Sequence, residues 1–339
     1  MSKLKKGILL VNLGTPDSTS TADVRKYLRE FLSDGRVIDI PGLPRWLLVN
    51  LIIAPFRSPK SAEEYRKLWE DRGSPLKFYS EDVRDLLQEK LGEEYVVALG
   101  MRYQNPSMES AIDQLMKHDV ESIKVIPLFP QYASATTGSV MQKVMDIVRK
   151  KQIIPAISFV SQFVDHPLFT DTFADLGKIE LDKEDYDHIL FSYHGLPERQ
   201  IRKGSVDGYC KLGSCCDTLG PKNQLCYRAQ CFETSRKIVE KLNIPEEKYT
   251  VCFQSRLGRD PWVQPYTEDM VTKLAEQGVK KVLAFSPAFV SDCLETTIEV
   301  GETYAEEFVE EGGEKWTLVP SLNTNSKWID CLADLAVDQ

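Results

Sequence analysis

The feature that most constrains the fold of this chain is a regular alternation of short apolar runs with longer stretches of helical periodicity. The apolar runs predict eight β-strands, at Gly7–Asn12, Tyr95–Met101, Ser122–Leu128, Ala156–Val160, His188–Tyr193, Tyr249–Phe253, Lys281–Ser286 and Trp316–Val319. Helical patterns lie between them, as in Thr21–Leu32, Ser107–His118, Thr137–Lys151, Glu233–Leu242 and Tyr266–Gln277. Strands that alternate with helices in this way predict parallel sheets with helices on both faces.

The strands divide four and four, with a seam near residues 162–167. We therefore expect an α/β fold of two similar Rossmann-like domains, each a four-stranded parallel sheet flanked by helices, over residues 1–163 and 164–322. Residues 323–339 should form a helix that packs back on the body of the protein. No internal sequence repeat is visible, so the expected similarity of the domains rests on the strand pattern alone.

Composition and charge narrow the classes of function. Lys plus Arg number 42 and Asp plus Glu number 51, so the net charge of −9 argues against a nucleic-acid partner. The sequence has no apolar run of the roughly 18 residues that a spanning helix requires. Its basic first residues lead directly into a strand and lack the apolar region of a signal peptide. We expect a cytoplasmic protein, and a loose membrane association stays open.

The loops after the strands hold the candidate functional residues, because ligands of open parallel sheets bind beyond the carboxyl ends of the strands. We expect these loops to line one cleft between the two domains. Among the four histidines, His194 is the one that lies where a strand ends and a Gly-Leu-Pro turn follows. An imidazole in that position can accept a proton near neutral pH or bind Fe²⁺. The residues alone leave functional and structural roles for His194 equally open.

A series of glutamates is the second candidate. Glu295, Glu299, Glu302 and Glu306 follow one another at spacings of four, three and four, which would place them on one face of an α-helix. Such a stripe is usually an acidic face in water, and the spacing alone favours that interpretation. The alternative is a ladder of oxygen ligands leading a cation towards the cleft, with a proton or a cation offsetting the repulsion between like charges.

Two further features bear on the ligand. The apolar segment Trp46–Phe56 is too short to span a bilayer, and it could form either a core helix or an apolar lip that holds a flat ligand at the membrane surface. The first strand is followed by Gly14-Thr15-Pro16 rather than by Gly-x-Gly-x-x-Gly, so we expect no nucleotide cofactor and disfavour a nucleotide-dependent oxidoreductase.

Seven motifs together make the sequence resemble the ferrochelatases, which insert Fe²⁺ into a porphyrin in the last step of haem synthesis. They are Val11-Asn12-Leu13-Gly14-Thr15-Pro16, Gly73-Ser74-Pro75-Leu76, Gly100-Met101-Arg102-Tyr103, Pro127-Leu128-Phe129-Pro130-Gln131-Tyr132, Ser192-Tyr193-His194-Gly195-Leu196-Pro197, Gln254-Ser255-Arg256 and Ser291-Asp292-Cys293-Leu294-Glu295-Thr296. The resemblance covers nearly the whole chain and implies the two-domain chelatase fold.

The resemblance also implies roles for individual residues. It implies that His194 binds the metal or accepts a pyrrole proton, with Glu295 as its partner at the metal. Glu299 and Glu302 fall on an acidic ridge that some members use as a metal path. The sequence departs from many members at Cys293, where they carry a histidine, so a site with two histidines at the metal is not expected here.

Porphyrin contacts are expected from residues that follow strand ends in these motifs. The aromatic side chains of Tyr103 and Phe129 are candidates for contact with the ring. The guanidinium groups of Arg102 and Arg256 are candidates for holding a propionate, since arginine pairs with carboxylates in bidentate geometry.

A second metal group is expected in the cysteine-rich segment 205–231, which looks like an insertion relative to compact members. Five of the eight cysteines lie there, at positions 210, 215, 216, 226 and 231. A cluster of this kind without a signal peptide indicates zinc or an iron–sulfur cluster rather than disulfides. Some ferrochelatases carry a [2Fe-2S] cluster in an internal segment, so the resemblance implies one here. Its candidate ligands are Cys210, Cys216, Cys226 and Cys231; the alternative is reduced thiols without metal.

The expected function is insertion of Fe²⁺ into protoporphyrin IX, with release of two protons, to form protohaem. Protoporphyrin suits the apolar segment Trp46–Phe56 because its vinyl groups stand where coproporphyrin has charged propionates. Coproporphyrin III as substrate and a non-catalytic porphyrin or haem carrier are the alternatives. The expected partners are the porphyrin, ferrous iron and an upstream enzyme of the haem pathway.

Overall fold

The computed structural model describes residues 4–258 and 260–337, which form two compact units. Unit 1 takes in the chain up to Phe129, Ala133–Ser161 and the residues from Ile329 onward. Unit 2 takes in Pro130–Tyr132 and Gln162–Trp328. Each unit is built on its own parallel sheet.

The sheet of unit 1 has four parallel strands in the order β2-β1-β3-β4. They are β1 (Lys5–Asn12), β2 (Tyr95–Met101), β3 (Val120–Pro127) and β4 (Ala156–Phe159). The last six residues of β1 are all buried, as expected for a central strand with both faces covered. Its Leu9 and Val11 lie in one apolar cluster with Ala111, Ile112 and Leu115.

Helices connect and cover these strands. They are α1 (Thr21–Leu32), α2 (Gly42–Leu47), α3 (Ala54–Leu68), α4 (Pro75–Leu91), α5 (Met108–Met116) and α6 (Ser139–Val148). Two of these helices have a serine N-cap. The hydroxyls of Ser20 and Ser107 accept hydrogen bonds from backbone N–H groups in the first turns of α1 and α5. π-Helical turns occupy Leu48–Ile53 and Ser134–Gly138.

The apolar segment Trp46–Phe56 is not a core helix. It runs through the end of α2, a π-helical turn and the start of α3, and Val49 and Ala54 are its buried residues. Its most exposed large side chains, together with that of Leu43, are between 42% and 79% exposed, at Leu43, Trp46, Leu47, Leu51, Ile52 and Phe56, whereas Leu48 and Ile53 are half-buried. Unit 1 therefore presents a continuous apolar surface on consecutive helical turns, called the α2–α3 surface below.

The sheet of unit 2 repeats the arrangement, with the order β6-β5-β7-β8 and all strands parallel. Its strands are β5 (His188–His194), β6 (Tyr249–Gln254), β7 (Lys281–Phe285) and β8 (Lys315–Leu318). Its helices are α7 (Pro167–Leu181), α8 (Glu198–Lys203), α9 (Tyr227–Leu242), α10 (Thr267–Glu276) and α11 (Tyr304–Glu310). The last described helix is α12 (Ser326–Val337). The prediction of two similar four-stranded parallel α/β domains is confirmed.

Each predicted strand begins and ends within two residues of the bounds of the observed strand. Among the described residues, no helix is long and apolar enough to cross a membrane.

Candidate active site

The strand order of unit 2 determines where a ligand can bind. In the order β6-β5-β7-β8, the connections from β5 and β7 leave in opposite directions, which opens a crevice beyond the carboxyl ends of these strands. His194 is the last residue of β5. The loop after β7 leads into a π-helix, Leu294–Thr303, whose first turn carries Glu295. The histidine and the glutamate predicted from sequence thus lie at the same end of one sheet.

His194 is held by its own backbone. Its Nδ1 atom lies 2.7 Å from the carbonyl oxygen of Gly195, and the Gly195 N–H donates to the carbonyl of Gln254 at 2.8 Å. A nitrogen that donates to a carbonyl must carry the proton, so Nε2 carries the lone pair in the neutral ring. The ring of Trp262 lies beside the imidazole, with 6.4 Å between centroids. The result is a half-buried imidazole whose proton-accepting or metal-binding atom is Nε2.

Glu299 is the most strongly held acid of this site. The Ser255 hydroxyl lies 2.8 Å from both of its carboxylate oxygens, and the Tyr304 hydroxyl donates to one of them at 3.3 Å. Burial raises the pKa of Glu299 above its usual value, while the hydrogen bond from Ser255 and the charge of His194 act in the opposite direction. The negative charge of Glu295 raises that pKa further.

Gln254 joins β6 to the start of the π-helix. Its amide is buried and donates to the backbone carbonyl of Glu295 at 3.3 Å. The Ser192 hydroxyl donates to the Gln254 side-chain oxygen, so the direction of the amide is fixed. These contacts tie the backbone of Glu295 to the strand next to His194.

The glutamate series does not lie on one face of an α-helix, so that expectation from spacing is wrong. Residues 294–303 are π-helical, with hydrogen bonds from i to i+5, and the angular spacing of side chains differs from that of an α-helix. Glu295 and Glu299 are partly buried, whereas Glu302 and Glu306 are exposed. The acids therefore run from the site to the surface.

The predicted porphyrin contacts of unit 1 already have partners. Arg102 pairs with Asp34 at 2.6 Å, and the Tyr103 hydroxyl donates to the same carboxylate at 3.0 Å. Tyr103 is fully buried, so its ring would have to become exposed before it could contact a ligand. Phe129 packs against the apolar cluster beneath the sheet. These contacts stay predictions.

Arg256 of unit 2 stacks over the ring of Tyr266, with 4.7 Å from its guanidinium carbon to the ring centroid. This arrangement leaves its N–H groups able to bind a carboxylate. Its role as a propionate partner stays a prediction as well.

The cysteine-rich segment lies between α8 and α9. The sulfurs of Cys215 and Cys216 are 3.9 Å apart, and a hydrogen bond between the free thiols of Cys216 and Cys226 lowers the pKa of Cys226. Cys210 contacts Cys215. Cys231 is fully buried in α9, where burial raises its pKa. Contacts of this kind link Cys210, Cys215, Cys216 and Cys226, and Cys231 lies close enough to Cys216 for their charges to interact.

Within the described chain, no group of three or more histidine, cysteine, aspartate or glutamate side chains is arranged to hold a metal ion. A cluster in the cysteine-rich segment would require its thiols to turn towards a common point.

Sequence reasoning missed several residues of this site. Ser255 and Tyr304 hold Glu299, and Tyr227 donates from α9 to the backbone carbonyl of His194 at 2.8 Å. Ser255 lies in a motif noted above, and Tyr304 follows Glu299 by the five-residue spacing of a π-helix. No pattern in the sequence points to Tyr227.

Comparison with known proteins decides the family. The ferrochelatase family profile matches residues 5–339. The chain belongs to the ferrochelatase family. A ferrochelatase of Legionella pneumophila strain Lens is 43% identical over 336 residues, covering 99% of this chain and 100% of the relative. One of Coxiella burnetii strain Dugway is 44% identical over 333 residues, covering 98% and 93%. The prediction of an enzyme of haem biosynthesis that inserts metal into a porphyrin is confirmed.

Solved structures show the same fold at low sequence identity. SirB from Bacillus subtilis with Fe³⁺ matches with a TM-score of 0.54 and 11% identity, over 98% of this chain and 94% of that chain. SirB of the subspecies spizizenii, a sirohydrochlorin chelatase in complex with cobalt, gives a TM-score of 0.51 at 9% identity, over 97% and 92%. The chelatase fold expected from the sequence is thereby confirmed.

Proposed function

We propose that this ferrochelatase inserts Fe²⁺ into protoporphyrin IX and that His194 and Glu295 carry the reaction. The observation that supports these roles is the bond from Nδ1 of His194 to the Gly195 carbonyl, which places the imidazole lone pair on Nε2. Insertion displaces two pyrrole protons, so a base must lie close to the porphyrin nitrogens. The carboxylate of Glu295, at the same end of the sheet, supplies negative charge for the incoming cation.

The lone pair of His194 can serve as proton acceptor or as iron ligand, and kinetics separate the two roles. If His194 is an iron ligand, His194→Ala should raise KM for Fe²⁺. If His194 is instead the proton acceptor, His194→Ala should lower kcat by roughly 10²–10⁴-fold, the effect of losing a positioned base. KM for Fe²⁺ should then stay unchanged. The assay is anaerobic insertion of Fe²⁺, with protohaem followed by its absorbance. Glu295→Gln, which keeps the shape of the side chain, is the matching test for the carboxylate.

We propose that Glu299 and Glu302 form a path for the metal. The burial gradient from partly buried Glu299 to exposed Glu302 supports the proposal, because a cation would meet the exposed carboxylate before the site. Glu302→Gln should raise KM for the metal and leave KM for the porphyrin unchanged. Glu310→Gln, at an exposed glutamate of α11 beyond this gradient, is the matched control. Equal metal KM values for Glu302→Gln, Glu310→Gln and the parent enzyme would rule out the path.

The choice of protoporphyrin is supported by the α2–α3 surface. Exposed side chains such as Phe56, at 79%, suit a porphyrin edge with vinyl groups better than one with additional propionates. Parallel assays with protoporphyrin IX and coproporphyrin III test the choice. A higher kcat/KM for coproporphyrin III would favour the alternative substrate. Porphyrin binding without any metal insertion would identify a non-catalytic carrier instead.

We also propose that the protein is cytoplasmic, with this surface making a peripheral membrane contact. Apolar side chains on consecutive helical turns can insert at the lipid interface. Co-sedimentation with phosphatidylcholine vesicles tests the contact, and Phe56→Ser with Trp46→Ser should reduce the bound fraction. An upstream enzyme of the haem pathway as partner stays a proposal.

We propose a [2Fe-2S] cluster in the cysteine-rich segment. Two thiolates on one tetrahedral metal, each about 2.3 Å from it, lie roughly 3.8 Å apart, and the Cys215–Cys216 sulfur separation of 3.9 Å matches this spacing. The proposed ligands are those expected from the sequence, Cys210, Cys216, Cys226 and Cys231, and the contact of Cys215 with Cys216 makes Cys215 the alternative to Cys231 as the fourth ligand. When bound, the cluster would supply a one-electron redox group and a crosslink within the segment.

Anaerobic purification tests the cluster and its ligands by visible absorbance and labile sulfide. Serine in place of Cys210, Cys216, Cys226 or Cys231 should abolish both signals, and Cys215→Ser should retain them. A parent enzyme without either signal would exclude the cluster. A signal retained in Cys231→Ser and lost in Cys215→Ser would replace Cys231 by Cys215 in the ligand set.

A further inference from the structure

His194 ends its strand with a carbonyl group that the sheet does not satisfy. Its Gly195 neighbour donates an N–H towards β6, and the carbonyl of a trans peptide points opposite to that N–H. The His194 carbonyl therefore points to the side of β7. Pairing between β5 and β7 ends at Phe191 and Phe285, three residues earlier than His194. A buried carbonyl in this position needs another donor.

The Tyr227 hydroxyl is that donor. It lies 2.8 Å from the His194 carbonyl oxygen, and Tyr227 is 7% exposed. The peptide that joins His194 to Gly195 is thus held at one edge by Tyr227 and at the other by Gln254. The carbonyl of Gly195 in turn accepts from Nδ1 of the imidazole. The orientation of this peptide therefore sets the direction in which Nε2 points.

Tyr227 is joined directly to the cysteine-rich segment. It is the first residue of α9, and the residue before it is Cys226, whose thiol is hydrogen-bonded to that of Cys216. The buried side chain of Asn223 donates to the carbonyls of Cys215 and Thr218, at 2.7 and 2.9 Å. The backbone N–H of Cys226 donates to the Asn223 carbonyl at 2.8 Å. These contacts connect the thiols to the backbone on which Tyr227 is mounted.

We propose that Tyr227 is a positioning residue for His194 and that it transmits the state of the cysteine-rich segment to the imidazole. The proposal rests on the role of His194 given above. It assigns the segment a function in catalysis without direct contact with porphyrin or iron. An ordered segment holds the Tyr227 hydroxyl on the His194 carbonyl, and a disordered segment releases the peptide and with it the direction of Nε2.

Tyr227→Phe removes the hydroxyl and keeps the ring. Loss of a hydrogen bond of this kind corresponds to roughly a tenfold effect, so we expect kcat to fall about tenfold while KM for the porphyrin stays unchanged. Tyr193→Phe is the matched control. Its buried hydroxyl also joins β5 to α9, through Ser235 at 2.8 Å, but does not touch the His194 carbonyl. Tyr193→Phe should retain the parent kcat.

Exchange of the Gly195 amide proton measures the position of the peptide independently of activity. Tyr227→Phe and Cys226→Ser should both accelerate this exchange, and Tyr193→Phe should not. In the double variant, Cys226→Ser should add no further loss of kcat to Tyr227→Phe, because both changes act through one contact.

Two results would overturn the proposal. One is additive losses of kcat from Cys226→Ser and Tyr227→Phe. The other is unchanged Gly195 exchange in Cys226→Ser, which decides the matter even if Tyr227→Phe does not fold. Because exchange needs no porphyrin, failure of His194 as a catalytic residue would show only in the insertion assay and would remain distinguishable.

Discussion

The substitution Gly14→Ala adds one methyl group to the loop that follows β1. Gly14 has a φ of +106°, a backbone conformation that residues other than glycine rarely adopt. A Cβ added to Gly14 would lie 1.9 Å from the carbonyl oxygen of Tyr103. Real contacts of a Cβ essentially never fall below 3.0 Å, so the two segments must separate by more than an ångström. That separation opposes the bond from the Tyr103 N–H to the Leu13 carbonyl at 2.9 Å.

The magnitude follows from two terms and a matched control. An unfavourable φ costs about 1–3 kcal/mol, overpacking costs about 1–3 kcal/mol, and the lower entropy of the unfolded alanine chain offsets about 0.4–1 kcal/mol. Gly92 in the same unit has a φ of +68° with no atom within 4 Å of its added Cβ. Gly92→Ala therefore has the cost of the unfavourable φ without the cost of overpacking. Gly14→Ala should be less stable than Gly92→Ala by the overpacking cost, about 1–3 kcal/mol.

Thermal unfolding followed by circular dichroism measures this difference. For a unit of about 150–250 residues, each kcal/mol lowers Tm by about 2–4 °C, so the Tm of Gly14→Ala should lie at least about 2 °C below that of Gly92→Ala. Equal Tm values for the two variants would refute the close approach of the β1 loop to Tyr103.

Three further predictions concern single side chains. Burial raises the pKa of Glu299 above 4.5, so the folded state binds more protons, and the contribution of this group to stability is lost as pH rises through the raised pKa. Glu299→Gln should therefore raise Tm at pH 7–8, a gain that disappears below about pH 4; a Tm difference independent of pH would contradict this. Asp34→Asn leaves the largely buried guanidinium of Arg102 without its carboxylate and should cost about 3 kcal/mol in urea unfolding, whereas a loss under about 1 kcal/mol would show the pair to be solvated. Gly177→Ala places a Cβ 2.3 Å from the ring of Phe285 and should destabilise unit 2 by about 1–3 kcal/mol; a Tm equal to that of the parent enzyme would show that the ring can move aside.

The strands could be predicted because fully buried parallel strands are short apolar runs between polar, helix-like segments. β2 has the predicted bounds, and β5 extends one residue further than predicted, to include His194. Placement of His194 at the end of a strand, and hence at the ligand-binding edge of its sheet, followed from this pattern.

The details of the site could not be predicted in the same way. The π-helix at 294–303 has i to i+5 hydrogen bonds that depend on tertiary contacts such as that from Gln254 to the Glu295 carbonyl. α9 begins at Tyr227, six residues before the predicted Glu233, and its buried face includes Gln230, Thr234 and Ser235, polar residues that interrupt the apolar pattern by which a helix is predicted. Contacts between residues distant in sequence, such as Ser255 with Glu299, leave no local pattern.

Anaerobic insertion of Fe²⁺ into protoporphyrin IX by His194→Ala tests the central claim most directly. His188→Gln is the matched control, because His188 begins the same strand and its ring bonds to Thr250 at 2.9 Å, away from the site. We expect His194→Ala to lose insertion by at least about 10²-fold, while His188→Gln retains it and both variants stay folded. Insertion by folded His194→Ala at the rate of the parent enzyme would contradict the claim.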